Sequence, residues 1–215
     1  MIAAINDTGL IYTFFILTQI ALASRKDDWQ HSLTRIGIDL PEEATLHDLT
    51  TGMQGAIDDF LYSQNRVTDI SEMAQKAAGE ALATLASDKS TTLFGSALSE
   101  VQTAVHDLST KNGFSDLGQK FFGLFMARFL NFYLSRISAS YINGNSFSHI
   151  GDISRFNNVL KNHCEQSAFI VRDFCGQWYS KTEYLKGISL RNTAGFIAVA
   201  LKKLSAEMKR QEIGQ

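Results

Sequence analysis

Proline occurs once in this chain of 215 residues, at Pro41. Because proline breaks helices and punctuates loops, its scarcity favours long helices joined by short turns. The 15 Phe and 6 Tyr residues supply bulky core material, and most apolar residues recur every three or four positions rather than alternating. The sequence therefore predicts an all-α fold, a multi-helix bundle of about six to eight helices.

The most apolar segment is LIYTFFILTQIALA, residues 10–23. It is shorter than the about 20 residues that a membrane-spanning helix needs. Its Ala-Leu-Ala end resembles a signal-peptide cleavage site, but Asp7 precedes it and no Lys or Arg does. A helix that is apolar on nearly all sides is typical of a buried central helix. We therefore predict a buried N-terminal helix, with a membrane-inserted or cleaved segment as the alternative.

Charge is divided unequally along the chain. Residues 1–110 carry 6 Lys and Arg against 15 Asp and Glu, a net charge of −9, whereas residues 111–215 carry 14 against 7, a net charge of +7. Such asymmetry indicates either an acidic partner for the second half or mutual docking of the two halves. We predict a single all-helical domain over residues 1–215, with 1–110 and 111–215 as candidate acidic and basic sub-bundles.

The two cysteines, Cys164 and Cys175, lie on one apolar face of a predicted helix, about 16 Å apart along its axis. That distance is too long for a disulfide, and free cysteine is commonly a buried residue. With 45% apolar and 20% charged residues, the composition is that of an ordinary soluble protein. We predict two core cysteines and a cytoplasmic protein that does not enter a membrane.

Helical spacing and cap residues locate the other helices. The predicted helices cover residues 45–63, from 69 onward, 91–110, 115–142, 152–180 and from 189 onward. The predicted N-caps are Asp69 (with Glu72 in a capping box), Asp152 and Ser189, and the predicted helix stops are Gly113 and Gly187. In the last helix, apolar residues at alternating spacings of four and three predict a seam for one partner helix; they are Leu190, Ala194, Ile197, Leu201, Leu204 and Met208.

The candidate binding site lies in VRDFCGQWYSKTEYLKGIS, residues 171–189. One interpretation is structural, with Trp178 and Tyr179 as an aromatic plug where two helices meet. The other is a basic and aromatic surface, since aromatic rings beside Lys and Arg suit an acidic partner or a phosphate. The candidate binding residues are Arg172, Tyr179, Lys181, Lys186 and Arg191.

The sequence contains no Gly-rich phosphate loop, no H-E-x-x-H, no G-x-S-x-G and no paired-Cys zinc pattern. We therefore predict no catalytic residues, no cofactor and no metal site. Two His-Asp pairs, His47-Asp48 and His106-Asp107, resemble the signature of metal-dependent phosphohydrolases of the HD superfamily. In that family a further His and a distant Asp complete the site, and the resemblance implies His31 and Asp107 for these two roles in this chain. The Gly-Lys that often follows the family's pair is absent at both places.

These observations favour a non-catalytic helical protein-binding subunit or adaptor of a multi-protein assembly. Its expected partner is another protein with an acidic surface, or a second copy in a homo-oligomer. The first alternative is nucleic-acid or nucleotide binding through the basic C-terminal half. The second is the hydrolase that the HD resemblance implies.

Overall fold

The computed structural model describes residues 2–87, 98–141 and 150–213. Across these ranges a 3-10 helix (Ile2–Ala4) and nine α-helices form, and no strand does. They are α1 (Thr8–Ala23), α2 (Trp29–Thr34), α3 (Leu46–Ser63), α4 (Asp69–Ser87), α5 (Leu98–Leu108), α6 (Lys111–Tyr141), α7 (Ile150–Ser167), α8 (Phe169–Lys186) and α9 (Leu190–Ile213). The predicted all-helical bundle is confirmed.

The N-terminal helix α1 is buried, as predicted. Asp7 caps it by accepting a hydrogen bond from the Leu10 backbone N–H at 2.8 Å. The ring of Phe14 is fully buried among four other phenylalanine rings, at centroid distances of 5.1 to 5.8 Å; these are Phe114, Phe121, Phe122 and Phe196. Within the described ranges, none of the helices has the length and apolarity of a membrane span.

The long helix α6 is the centre of the second half and packs against α4, α5, α7 and α8. Where α6 and α8 meet, a methyl group on Gly118 would lie 2.5 Å from the Cys175 Sγ and 2.7 Å from its Cβ. A methyl group on Gly176 would likewise overlap Ser115 Oγ and the Lys111 carbonyl oxygen. The two helices therefore approach as closely as they do because each has a glycine at the contact.

The predicted helix 152–180 is two helices in the structure, because the chain turns at Ala168 between α7 and α8. The Ala168 N–H still bonds to the Cys164 carbonyl at 3.0 Å, and the Val171 N–H bonds to the Ala168 carbonyl at 3.1 Å. Both cysteines lie in the core, as predicted. Burial raises the pKa of Cys164 to about 11 and raises the pKa of Cys175 as well, so both thiols stay protonated near neutral pH.

Three predicted helix boundaries are wrong. Gly113 does not stop a helix: its N–H bonds to Thr110 Oγ1 at 3.0 Å in the first turn of α6. The capping box of α4 is formed by Thr68 and Ser71, one position before the predicted Asp69 and Glu72. Asp152 lies inside α7 rather than ahead of it. Residues 91–97 of the predicted fifth helix and 143–149 of the predicted loop lie outside the described residues.

The predicted seam on α9 packs against two helices of this chain and not against one partner helix. Ile197, Leu201 and Leu204 are buried, and α9 packs against both α1 and α8. Phe196, which the seam did not include, stacks on Trp178 of α8 at a centroid distance of 4.3 Å. The middle of the seam is therefore covered within the fold, whereas Leu190 at its start is 37% exposed.

Glu80 on α4 connects the acidic half of the chain to the basic half. Its carboxylate accepts a hydrogen bond from Arg128 on α6 and another, at 2.7 Å, from Lys161 on α7. Partial burial acts to raise the pKa of Glu80, but these two cations outweigh it and lower the pKa below its ordinary value. Part of the opposite charge of the two halves is therefore used to hold them against each other.

The glycine contact between α6 and α8 predicts opposite effects for two Gly-to-Ala substitutions. Gly118→Ala should lower the free energy of unfolding by about 1–3 kcal/mol, because the new methyl group overlaps Cys175. Gly195→Ala is the matched control: nothing lies within 4 Å of its Cβ position in α9, so alanine should stabilise the helix by about 0.5–1 kcal/mol. Urea unfolding measures both, and equal effects would contradict the close contact.

The Glu80 contact predicts a pH-dependent loss of stability. Because its pKa is lower in the folded state, ionised Glu80 stabilises the fold above its unfolded pKa, and this contribution is lost as pH falls through the folded value. Glu80→Gln should therefore be less stable than the native chain at neutral pH, and the difference should vanish in acid. Glu42→Gln, at an exposed position, is the control. Urea midpoints measured across pH test this, and a pH-independent difference would contradict it.

Candidate functional site

The structure separates the five predicted binding residues. Arg172 lies in the first turn of α8 and Lys186 in its last, which places them about 21 Å apart along the helix axis. The Arg172 guanidinium pairs with Asp116 at 2.8 Å and with Asp173 at 3.4 Å, so its charge is used within the fold. Lys181, Lys186 and Arg191 are exposed and lie in the last turns of α8 and the first turn of α9.

Tyr179 is a core residue and does not belong to the predicted surface. Its side chain is fully buried, and its ring stacks on Phe114 of α6 at 3.9 Å with an interplanar angle of 8°. Burial raises the pKa of the Tyr179 hydroxyl, which has no hydrogen-bond partner in the described part of the chain. The aromatic-plug interpretation of Trp178 and Tyr179 agrees with this arrangement, in which Trp178 stacks on α9 and Tyr179 on α6.

The connection between α8 and α9 is short and extensively hydrogen-bonded. Gly187 ends α8 with a φ of 71°, a conformation that favours glycine, and its carbonyl accepts a bond from Asn192 Nδ2 at 2.9 Å. The Ser189 N–H donates to Asn192 Oδ1 at 2.9 Å, and the Asn192 N–H donates to Ser189 Oγ at 3.4 Å. The predicted helix stop and N-cap are both confirmed, and their hydrogen bonds hold the short connection between the two helices.

Apolar side chains project into solvent at this connection. Tyr184 is 87% exposed and Leu185 is 58% exposed, and Lys181 shares their helix face at positions i, i+3 and i+4. We define the α8–α9 corner as the exposed residues Lys181, Tyr184, Leu185, Lys186, Leu190 and Arg191. Its three cations form no ion pair with any other described residue. The corner therefore offers apolar area and unneutralised positive charge together.

Arg25, which the sequence analysis did not single out, anchors the corner to the rest of the fold. Its Nη1 pairs with Glu183 Oε2 at 3.0 Å, and its Nε donates to Ser109 Oγ at 3.1 Å. Its Nη2 donates to the Ser109 carbonyl oxygen, and its guanidinium carbon lies 5.5 Å from the centroid of the Tyr179 ring. One side chain thus joins the end of α1 to the end of α5 and the last turns of α8. No sequence signal distinguishes Arg25 from the neighbouring Lys26.

The two His-Asp pairs lie on different helices, His47-Asp48 in α3 and His106-Asp107 in α5. His47 and His106 are exposed, and the Asp48 carboxylate caps α3 by accepting bonds from Thr45 N at 2.8 Å and Thr45 Oγ1 at 2.6 Å. These bonds lower the pKa of Asp48. Over residues 2–87, 98–141 and 150–213, no three His, Cys, Asp or Glu side chains are grouped so that they could hold a metal ion.

No family model, curated protein or solved structure matches this chain. The chemistry of the α8–α9 corner is therefore the basis for a functional proposal. Lysine and arginine donate hydrogen bonds to carboxylates or phosphates, and exposed tyrosine and leucine bury apolar area on contact. The arrangement suits a ligand surface that is both acidic and partly apolar.

The contacts that Arg25 makes with Ser109 and Glu183 predict a local effect for Arg25→Met. Loss of the charge-assisted bonds to Ser109 and Glu183 should lower the free energy of unfolding by about 1–3 kcal/mol. Amide hydrogen exchange should also speed up in residues 183–191 more than in α3. Lys26→Met, at the adjacent exposed position, should change neither quantity. Uniform acceleration across the chain would show that Arg25 supports general stability and does not specifically anchor the corner.

Proposed function

We propose that this chain is a non-catalytic protein-binding subunit, an adaptor of a cytoplasmic multi-protein assembly, and that the α8–α9 corner binds an acidic protein partner. The observation that carries the proposal is the exposure of Tyr184 at 87% beside cations that are not neutralised by described residues. Tyrosine and arginine are enriched among the residues that dominate binding energy at protein interfaces.

The backbone beneath the corner supports this proposal. Residues 187–192 are held by the Gly187–Asn192 and Ser189–Asn192 hydrogen bonds, and α8 is held by the Arg25–Glu183 pair. A surface that is already ordered loses less conformational entropy on binding, so more of its contact energy becomes affinity. Three cations on such a surface also attract an acidic partner and suppress binding of a basic one.

The aliphatic residues favour a protein over a nucleic acid as the ligand. Leu185 is 58% exposed beside Tyr184, and Leu190 is exposed across the turn. A base can stack on a tyrosine ring, but leucine side chains gain most from an apolar protein surface. If the three cations instead contacted single-stranded nucleic acid, affinity should fall about 20-fold when salt rises from about 0.05 M to 0.2 M, since each contact releases counterions.

Photo-crosslinking tests the proposal directly. Tyr184 is replaced by the photoreactive p-benzoylphenylalanine in cells that naturally contain the chain, and Tyr133, an exposed tyrosine on α6, is replaced as the control. Position 184 should cross-link to a protein that position 133 does not capture. That protein, once purified, should bind Tyr184→Ala about 30-fold more weakly than the native chain, as for an interface residue worth about 2 kcal/mol.

Three results would contradict the proposal. One is a nucleic-acid adduct at position 184, which would support the nucleic-acid alternative. Another is a lack of any adduct that is specific for position 184. The third is a captured partner that binds Tyr184→Ala and the control Tyr133→Ala equally well, which would place the interface elsewhere.

A further inference from the structure

A tight helix–helix turn lies at each end of α1. At its N-terminal end, Asp7 Oδ2 accepts a hydrogen bond from Thr68 Oγ1, in the turn between α3 and α4, at 2.8 Å. At its C-terminal end, Arg25 pairs with Glu183 beside the turn between α8 and α9. Asp7 and Arg25 are separated by about 27 Å along the helix axis. The two turns therefore lie at opposite ends of the bundle's first helix.

The turn between α3 and α4 also presents an exposed tyrosine. Tyr62 is 70% exposed, and among the described residues only Tyr184 is a more exposed large apolar side chain. Val67, across the turn, is 47% exposed. The backbone is held by Asn65, which has a φ of 50° and an N–H that bonds to the Tyr62 carbonyl at 3.1 Å. We define the α3–α4 corner as the exposed residues Asp59, Tyr62, Arg66, Val67 and Asp69.

The two corners have opposite charge. Residues 59–69, which span the α3–α4 corner, contain Asp59 and Asp69 against Arg66, a net charge of −1. Residues 181–191, around the α8–α9 corner, contain three cations against Glu183, a net charge of +2. Because Glu183 is already paired with Arg25, the cations of this corner remain available. Each corner thus combines an exposed tyrosine, exposed aliphatic area and a net charge, which is negative at the α3–α4 corner and positive at the α8–α9 corner.

We infer that copies of this chain associate head to tail, with the α8–α9 corner of one copy bound to the α3–α4 corner of the next. This inference rests on the proposed function and identifies the acidic protein partner as a second copy. Contact between two like corners would bring like charges together, whereas contact between unlike corners pairs opposite charges around the two tyrosines. An interface between unlike surfaces is heterologous, so it extends into rings or open chains.

Sedimentation velocity on mixed variants tests this pairing. The native chain should form species whose mass increases with concentration and decreases at high salt, because the contact includes opposite charges. Tyr62→Ala and Tyr184→Ala should each be monomeric at concentrations where the native chain assembles, with a dissociation constant raised about tenfold or more. An equimolar mixture of the two variants should form dimers and nothing larger, because it contains one intact pair of corners. The control Tyr133→Ala should assemble like the native chain.

The outcomes separate this inference from the proposed function. A native chain that stays monomeric while position 184 cross-links to a different protein would overturn self-association and leave the proposed function standing. Assembly that requires Tyr184 but not Tyr62 would also overturn the pairing of unlike corners. A chain that neither assembles nor cross-links at position 184 would overturn both. Circular dichroism of each variant confirms that these exposed substitutions leave the fold intact.

Discussion

The close contact between α6 and α8 at Gly118 and Gly176 sets the position of the α8–α9 corner. Once the two backbones meet there, Tyr179 lies one turn further along α8 and stacks flat on Phe114. The buried ring in turn supports the Arg25 guanidinium, which pairs with Glu183. The exposed corner thus depends on a contact in the core that excludes a single methyl group, about two turns of α8 away from Tyr184.

Electrostatics divides the charged residues into two groups. Glu80, Asp116 and Glu165 each pair with a cation on another helix, and these pairs hold α4, α7 and α8 around α6. Half-buried pairs of this kind contribute modestly to stability but penalise any arrangement that separates them. The cations at the α8–α9 corner are used differently, since no described carboxylate neutralises them. The charge asymmetry of the sequence therefore reflects both internal docking and an unused surface potential.

Some local features were predictable from the sequence and others were not, since the Gly113 stop and the caps predicted for α4 and α7 are wrong. The Gly187 stop and the Ser189 cap were correct because a few neighbouring residues determine them. No proline or glycine marks the turn at Ala168, so the helical periodicity predicted one helix where the structure has two, α7 and α8. For the candidate site, residue spacing alone could not predict that the Tyr179 side chain is buried, or that Arg172 forms an ion pair with Asp116. Arg25 gained its importance only from residues 84 and 158 positions away.

The central position of α1 has a consequence for synthesis of the chain. Phe14 of α1 packs against Phe196 of α9, so α1 completes its environment only when α9 emerges from the ribosome. At roughly 5–20 residues per second, the ribosome needs about 9 to 36 s to add the intervening 180 or so residues. Throughout that interval the most apolar segment of the protein lacks its final cover. The nascent chain should therefore depend on ribosome-associated chaperones, a requirement imposed by the order of its helices rather than by its final stability.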